Sequence, residues 1–276
     1  NGRVDVTISH KPEITKDRLI ALFPQEVDGI EAYFEQILNF RKKSRGNEYQ
    51  DISVGEFLDT IIKNEDLKLV LLGNLGYFSD DPYSLSLAYY TVAQGSYYTY
   101  GASYIKGGSQ KLSDYLTYYI KAHGGEVITN HIVTAIKTEG NLITGVVFRK
   151  KNDVEKGTIE AFAVDFIANC SIPGIADLIS GDSSIALKDQ MKDMKAGASL
   201  LTLYLGLSKP LRELGSISYS VCVYDSTVRS LADISRNNKD DFSRRSFIFV
   251  DYGQIDPGLS SGDKSVAGIC CVDYFS

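Results

Sequence analysis

The spacing of apolar residues changes along this chain, and that change limits the folds open to it. In the first hundred residues Val27, Ile30, Phe34 and Ile37 recur at helical spacing, which predicts an amphipathic helix. Towards the carboxy-terminal end, apolar runs predict four strands of a mixed or antiparallel sheet, at residues 199–207, 218–224, 245–252 and 265–274. Because a helix stripe and a sheet face each need an apolar partner, we expect an α+β (mixed α/β) fold with helices covering the sheet.

The stretch between these two parts predicts a helix, a strand, a three-stranded meander and a further strand. Gly107 and Gly108 precede a helical repeat through Leu112 and Leu116, and a glycine pair at 124–125 ends it. The segments that follow predict strands at 126–130, 131–137, 142–150, 157–164 and 165–169. The chain therefore divides into a mainly helical part (1–100), a middle part (101–182) and a β-rich part (183–276).

Composition excludes several classes of protein. The 276 residues carry 29 Lys+Arg against 35 Asp+Glu, a net charge of -6, and an acidic balance argues against a nucleic-acid partner. No run approaches the roughly 18 consecutive apolar residues of a membrane span, so we expect no transmembrane segment. The length suits one large or two ordinary domains.

Cysteine and histidine patterns give little support to metal or hydrolytic chemistry. Cys170, Cys222, Cys270 and Cys271 form no CxxC pair, and the last two are adjacent, which suits neither a disulfide framework nor a zinc site. The three histidines stand in no HExxH motif, and the chain has no GxSxG motif and no P-loop. We expect a reducing, cytoplasmic location and no bound metal.

Eight tyrosines lie between residues 77 and 104, and two interpretations of them are compatible. Rings in such numbers fill a core between helices and sheet, or line a large apolar cavity with their hydroxyls towards its mouth. Core packing is the favoured interpretation, and a cavity wall is also a packed wall. The candidates for lining a substrate site are Tyr89, Tyr90, Tyr97, Tyr98, Tyr100 and Tyr104.

The glycine pair at 107–108 is the remaining candidate for a ligand site. Adjacent glycines let a cofactor or another backbone approach closely, and the first turn of the helix that follows favours partial negative charge. By itself the pair has an ordinary alternative, because Gly-Gly before a helix is common in plain turns.

The segment from the glycine pair to Asn169 resembles the phytoene desaturase family, which includes carotenoid isomerases and retinol saturases within the amine-oxidase-like flavoproteins. The resemblance lies in YIKGGSQKLSDYL (104–116), GGEVITNHIVTAI (124–136), ITGV (143–146) and DFIAN (165–169). It extends in the family's order to residues 22–26, 199–207 and 256–260, and so covers most of the chain.

The resemblance implies roles for particular residues. Gly107 and Gly108 match the glycine pair that turns the chain towards FAD, and Lys106 matches a basic residue placed to stabilise negative charge on the reduced flavin. Val133 matches the residue whose backbone meets the adenine end of FAD, and Asn169 ends the strand that returns to the cofactor sheet. The tyrosine-rich segment and the final strands match the substrate domain, which in this family encloses a long apolar polyene.

The chain also departs from the family pattern. It has no GxGxxG fingerprint for the FAD pyrophosphate, and from the resemblance we expect the segment that closes over the flavin after residue 275 to be missing. We therefore expect the substrate-binding portion of a flavin-dependent oxidoreductase, a desaturase, saturase or isomerase, together with a strip of its FAD-binding domain. The full-length protein is expected to hold FAD, whereas this chain alone is expected to hold little and to be inactive.

Two other interpretations stay open at this point. The first is a non-catalytic lipid-binding or interaction module with the same fold, and the second is an unrelated α+β domain with a coincidental Gly-Gly segment. An intact GxGxxG motif upstream favours the enzyme, and its absence favours the module. The resemblance implies a hydrophobic small-molecule substrate taken from a membrane surface, and hence a cytoplasmic protein peripheral to the membrane.

Overall fold

The computed structural model describes residues 3–43, 51–140, 142–152, 157–194, 197–216, 218–260 and 262–274. It has a mixed α+β fold that divides into two compact units. The first unit comprises residues 1–112 and 197–276, and the second comprises residues 113–196. These limits differ from the sequence-based boundaries at 101 and 182, because the turn at 104–108 contacts residues of the carboxy-terminal sheet region.

The amino-terminal half of the first unit is helical, as the apolar spacing predicts. Its helices are α1 (Pro12–Leu22), α2 (Val27–Leu38), α3 (Phe40–Lys43), α4 (Val54–Ile61), α5 (Glu65–Leu71) and α6 (Leu87–Tyr100). A 3-10 turn, Leu75–Tyr77, follows α5. None of the helices in the described ranges is long and apolar enough to cross a lipid bilayer.

Local sequence explains where α4 begins. The Ser53 hydroxyl accepts a hydrogen bond from the backbone N–H of Glu56, and the Glu56 carboxylate accepts one from the backbone N–H of Ser53. This capping box satisfies two amides that the first helical turn leaves without partners. The pKa of the Glu56 carboxyl is lowered, mainly by the hydrogen bond from the Ser53 backbone.

Helix α2 lies at the centre of the helical core. Its residues Ile30, Tyr33, Phe34 and Ile37 are all buried and share one face. Helix α6 crosses it closely at Gly95, where a Cβ atom would overlap the carbonyl oxygen of Ile37. The close crossing brings tyrosine rings of α6 into the core against α2.

The rest of the first unit is a four-stranded antiparallel sheet with the order β4-β7-β6-β5. The strands are β4 (Ser199–Leu207), β5 (Ser220–Val223), β6 (Phe247–Asp251) and β7 (Ser265–Asp273), with the short helices α10 (Ile234–Asn237) and α11 (Tyr252–Ile255) in the connections. The four predicted β runs are confirmed, and the sheet is antiparallel. Further 3-10 turns occupy Leu211–Leu214, Leu231–Asp233, Phe242–Arg244 and Pro257–Leu259.

The second unit is built around a three-stranded antiparallel meander, which confirms the meander predicted from the sequence. Its strands pair in the order β1-β2-β3: β1 (His131–Glu139), β2 (Leu142–Lys150) and β3 (Ile159–Phe162). Helix α7 (Gln110–Ala122) begins in the first unit, and α8 (Ile172–Leu178) and α9 (Asp182–Met191) follow β3.

Two strands predicted for this unit are absent from the described residues. Residues 126–130 and 165–169 form no strand, because neither segment has a neighbouring strand to pair with. The segment 165–169, predicted as buried, exposes Ile167 by 99%, and Val164 before it is 95% exposed. Apolar composition favours a strand only where backbone partners exist.

Candidate functional site

An open cleft lies in the first unit, between the segment after α5 and one face of the sheet. The register aligns Thr202, Cys270, Ile248 and Cys222 in one row across the four strands, so their side chains share a face. The 3-10 turn Leu75–Tyr77 stands at this face. The cleft is thus walled by a helical turn on one side and a sheet row on the other.

Two glycines of the helical wall lie where an added side chain would contact the sheet. A Cβ atom on Gly73 would lie 3.6 Å from Cβ of Cys222, and one on Gly76 would lie 3.6 Å from Cγ2 of Val272. Side chains at these positions would take space from the cleft. The sequence therefore keeps its smallest residues where the two walls approach each other.

The cleft carries no formal charge. None of the described residues that line it is Asp, Glu, Lys, Arg or His. The lining consists of aliphatic and aromatic side chains, thiols, and a few hydroxyl and amide groups that include Ser79, Ser246 and Asn238. Such a lining favours an uncharged apolar ligand, because a charged one would lose its hydration without a compensating partner.

Three of the four thiols line this cleft: Cys222 and Cys270, which belong to the row across the sheet, and the neighbouring Cys271. Burial raises the pKa of the Cys222 thiol to about 11, although its side chain has accessible surface. Both properties fit a thiol that protein surrounds on most sides at the cleft. The Thr202 hydroxyl donates a hydrogen bond to Sγ of Cys270 over 3.5 Å.

A line of tyrosines leads from the cleft to the glycine turn. Burial, and then the neighbouring Cys222 and Cys270 thiols, raise the pKa of Tyr77 to about 12. Tyr252 packs on the sheet, with its ring 3.2 Å from where a Cβ of Gly268 would stand. The centroids of the Tyr252 and Tyr104 rings are 6.1 Å apart. Tyr77 and Tyr252 interact electrostatically, and we call Tyr77, Tyr252 and Tyr104 together the aromatic border.

The turn at the end of this border needs both of its glycines. Gly107 and Gly108 have φ angles of +84° and +89°, a region that side chains with a Cβ rarely adopt. The Gly107 N–H donates to Oδ2 of Asp256 over 2.6 Å, and the Gly108 N–H donates to the Ile105 carbonyl over 2.8 Å. Both amides are therefore used within the chain, and the turn offers a ligand its close backbone rather than these donors.

Lys106 stands directly before the two glycines and is exposed. Within the described residues its ammonium forms no ion pair. An unpaired cation beside a tightly turned backbone suits a ligand that carries or develops negative charge. The residues at this turn fit the flavin that the family resemblance implies.

The six predicted lining tyrosines occupy four different surroundings. Tyr90 and Tyr98 are buried in the helical core, where Tyr90 contacts Tyr33. Tyr97 shares a hydrogen bond of 3.3 Å with the Tyr219 hydroxyl, at the sheet end of α6. Tyr104 belongs to the aromatic border described above.

The other two, Tyr89 and Tyr100, are exposed by 59% and 61%. The Arg41 guanidinium donates a hydrogen bond to the Tyr100 hydroxyl and lies over its ring. None of the six tyrosines is among the residues that line the cleft.

Val133 and Asn169 both belong to the second unit. Val133 lies in β1 opposite Phe148 of β2 and is 39% exposed. Asn169 lies outside the strands and is exposed. Lys106, Gly107 and Gly108 belong to the first unit.

Sequence reasoning missed the residues that form the cleft and hold the turn. The sequence did not predict a site formed by Cys222, Cys270 and Tyr77, because their proximity depends on strand register and not on spacing in the chain. A usable signal existed for Cys270 and Cys271: neighbours in a strand face opposite sides, so one of the two had to face the helices. Asp256 lies in the segment 256–260 that the resemblance includes, but the only signal for its own role was that of a turn, Asp-Pro-Gly.

Comparison with known proteins gives a likeness of fold. No family model matches the sequence, and no curated protein matches it significantly. The fold is similar to the crystal structure of an oxidoreductase from Methanosarcina mazei, with a TM-score of 0.64 and 16% sequence identity. The similarity covers 99% of this chain and 56% of that protein, so this chain spans little more than half the length of the oxidoreductase whose fold it shares.

Proposed function

We propose that this chain is the substrate-binding portion of a flavin-dependent oxidoreductase that acts on a hydrophobic, polyene or isoprenoid-like molecule. The uncharged cleft carries the proposal, because its aromatic border runs to the turn that holds Lys106, Gly107 and Gly108. A hydrophobic substrate and a flavin would meet along this border. The fold that this chain shares with an oxidoreductase also supports the proposal of an oxidoreductase.

The lining of the cleft supports an apolar substrate. Burial of apolar surface contributes about 25 cal/mol per Å², and a polyene chain presents that surface along its whole length. The hydroxyl and amide groups of Ser79, Ser246 and Asn238 at the cleft would orient a single polar end. Among the described residues of the lining no side chain is a nucleophile activated by a base, which fits chemistry that depends on positioning.

When bound, FAD would supply the site with a hydride acceptor or donor. The chain's own residues would position it: the turn at Gly107 and Gly108 presents bare backbone, and Lys106 presents a positive charge beside it. Such a charge favours an anionic form of a neighbouring group. The apolar walls of the cleft would exclude water from the substrate.

A non-catalytic lipid-binding module is the second candidate, and one observation favours it. Both glycine amides of the turn already donate hydrogen bonds within the chain, so neither donates to a cofactor. In that case the cleft would still bind an apolar ligand, and the full-length protein would hold no flavin.

Substitutions on strand β4 test the cleft itself. Leu200 and Leu203 are exposed by 49% and 54%, but they lie on opposite faces of the strand and only Leu200 lines the cleft. Leu200→Asp is expected to weaken the binding of a retinoid or carotenoid at least about tenfold, because it places a carboxylate in the apolar site. Leu203→Asp is the matched control and is expected to bind like the wild type; equal losses in both variants would contradict the assignment of the cleft.

A further inference from the structure

Asp256 is a buried carboxylate in the first unit, between α11 and β7. It is 6% exposed. Its Oδ1 accepts a hydrogen bond of 3.1 Å from the Gly258 N–H, and its Oδ2 accepts one of 2.6 Å from the Gly107 N–H. No lysine or arginine in the described ranges forms an ion pair with it. Backbone amides therefore stabilise this carboxylate.

The two oxygens serve different purposes. The bond from Gly258 is local and forms the turn that starts the 3-10 helix Pro257–Leu259, which an asparagine or serine side chain could also form. The bond from Gly107 spans 149 positions of sequence. Burying a carboxylate is costly unless its hydrogen bonds are satisfied, so the second, long-range bond needs an explanation beyond the local turn.

A second residue of the same loop lies near the glycine turn. A Cβ atom on Gly108 would lie 4.0 Å from Cδ2 of Leu259, which is three residues beyond Asp256. Lys106 is joined to Gly107 by one peptide bond, so fixing the Gly107 amide also fixes where the Lys106 side chain starts. The Asp256 loop thus sets the position of the exposed Lys106 ammonium, which forms no ion pair within the described residues.

We propose that Asp256 is a positioning residue that holds the turn of Lys106, Gly107 and Gly108 in place beside the flavin. The inference rests on the proposed function. Asp256 acts through the Gly107 amide and does not touch the ligand. Its effect on the flavin is exerted by the Lys106 ammonium, whose distance from the flavin the turn determines.

The test compares Asp256→Ala and Asp256→Asn in the full-length protein, with Asp263→Asn as control. Asp263 is an exposed acid near the same loop, so the control changes charge without touching the turn. Hydrogen–deuterium exchange at the Gly107 amide should become roughly tenfold faster or more in Asp256→Ala, because a hydrogen bond to a charged group is lost. Asp256→Asn keeps one acceptor oxygen, so its exchange rate at Gly107 should lie between those of the wild type and Asp256→Ala. The control should exchange at the wild-type rate.

A flavin measurement separates positioning from mere folding. The midpoint potential of bound FAD should shift to more negative values in Asp256→Ala, as in Lys106→Met, because negative charge on the reduced flavin is stabilised less. The midpoint potential of the double variant, Asp256→Ala with Lys106→Met, should shift no further than that of Lys106→Met alone, since both changes remove the same interaction. A merely structural loss would lower flavin content and leave the potential of the remaining bound flavin unchanged.

The outcomes distinguish the two proposals. Unchanged exchange at Gly107, or an unchanged potential in flavin-loaded Asp256→Ala, would overturn the positioning role and leave the proposed function standing. Fully additive shifts in the double variant would also overturn it. A wild-type full-length protein that cannot be loaded with FAD would overturn the proposed function, and the positioning role with it.

Discussion

The hydroxyl groups of Tyr33 and Tyr90 lie 2.9 Å apart in the buried helical core. Tyr90 donates its own proton to the carbonyl oxygen of Leu71 over 3.2 Å, so Tyr33 is the donor to Tyr90. The two phenols and one carbonyl form a chain of hydrogen bonds that joins α2, α6 and α5. Each member of the chain has its polar atom satisfied without water.

The two ends of this chain predict unequal costs of substitution. Tyr33→Phe removes one donor and should lower the free energy of unfolding by about 1 kcal/mol. Tyr90→Phe leaves the buried Tyr33 hydroxyl and the Leu71 carbonyl without their hydrogen-bond partner. It should lower the free energy of unfolding by roughly 1–3 kcal/mol. Urea denaturation of both variants checks the order; a larger loss in Tyr33→Phe would contradict the assigned direction of the hydrogen bonds.

The close crossing of α2 and α6 predicts a steric effect at Gly95. A Cβ there would overlap the Ile37 carbonyl oxygen and lie 2.8 Å from Cβ of Phe40. Gly95→Ala should therefore destabilise the protein by about 1–3 kcal/mol, despite the higher helix propensity of alanine. Gly206→Ala is the control, because no atom lies within 4 Å of its Cβ position. Thermal unfolding should show a lower melting temperature for Gly95→Ala than for Gly206→Ala.

The raised pKa of Cys222 predicts how its thiol reacts. Because the thiolate is the nucleophile, alkylation of Cys222 by iodoacetamide should still be accelerating at pH 9 and should level off only near its pKa of about 11. Peptide mapping by mass spectrometry follows each cysteine separately. A bound apolar ligand should protect Cys222 and leave the exposed Cys170 of the second unit reactive; a plateau for Cys222 below pH 9 would contradict its buried surroundings.

The buried phenols predict a loss of stability in alkali. Burial raises the pKa of Tyr33 and Tyr90, and raises that of Tyr98 to about 12, above the value near 10 expected in the unfolded chain. Their contribution is fully present below about pH 10 and is lost as the pH rises towards 12. Urea midpoints measured across this range should fall, and Tyr98→Phe should make the fall shallower.

Sequence reasoning predicted the elements whose signals are local. The helical stripe of α2, the meander and the four β runs are all present. These depend on side-chain periodicity and on hydrogen bonds between near neighbours, which the order of residues contains directly.

The rest depends on contacts that no local pattern contains. Residues 165–169 have the composition of a buried strand but lack a pairing partner in the described structure. Tyr90 and Tyr98 have the same local signature as Tyr97, yet the rotation of α6 buries the first two in the core. The link from Asp256 to Gly107 joins positions 149 apart, and only the folded chain reveals it.

The flavin content of the full-length protein tests the central proposal most directly. We expect a yellow protein with one FAD per chain, as purified or after reconstitution, whose flavin exchanges electrons with an apolar polyene under anaerobic conditions. Leu200→Asp should keep the flavin and lose that exchange. A colourless protein that cannot be reconstituted with FAD, but still binds the polyene in its cleft, would contradict the proposal and establish the lipid-binding module instead.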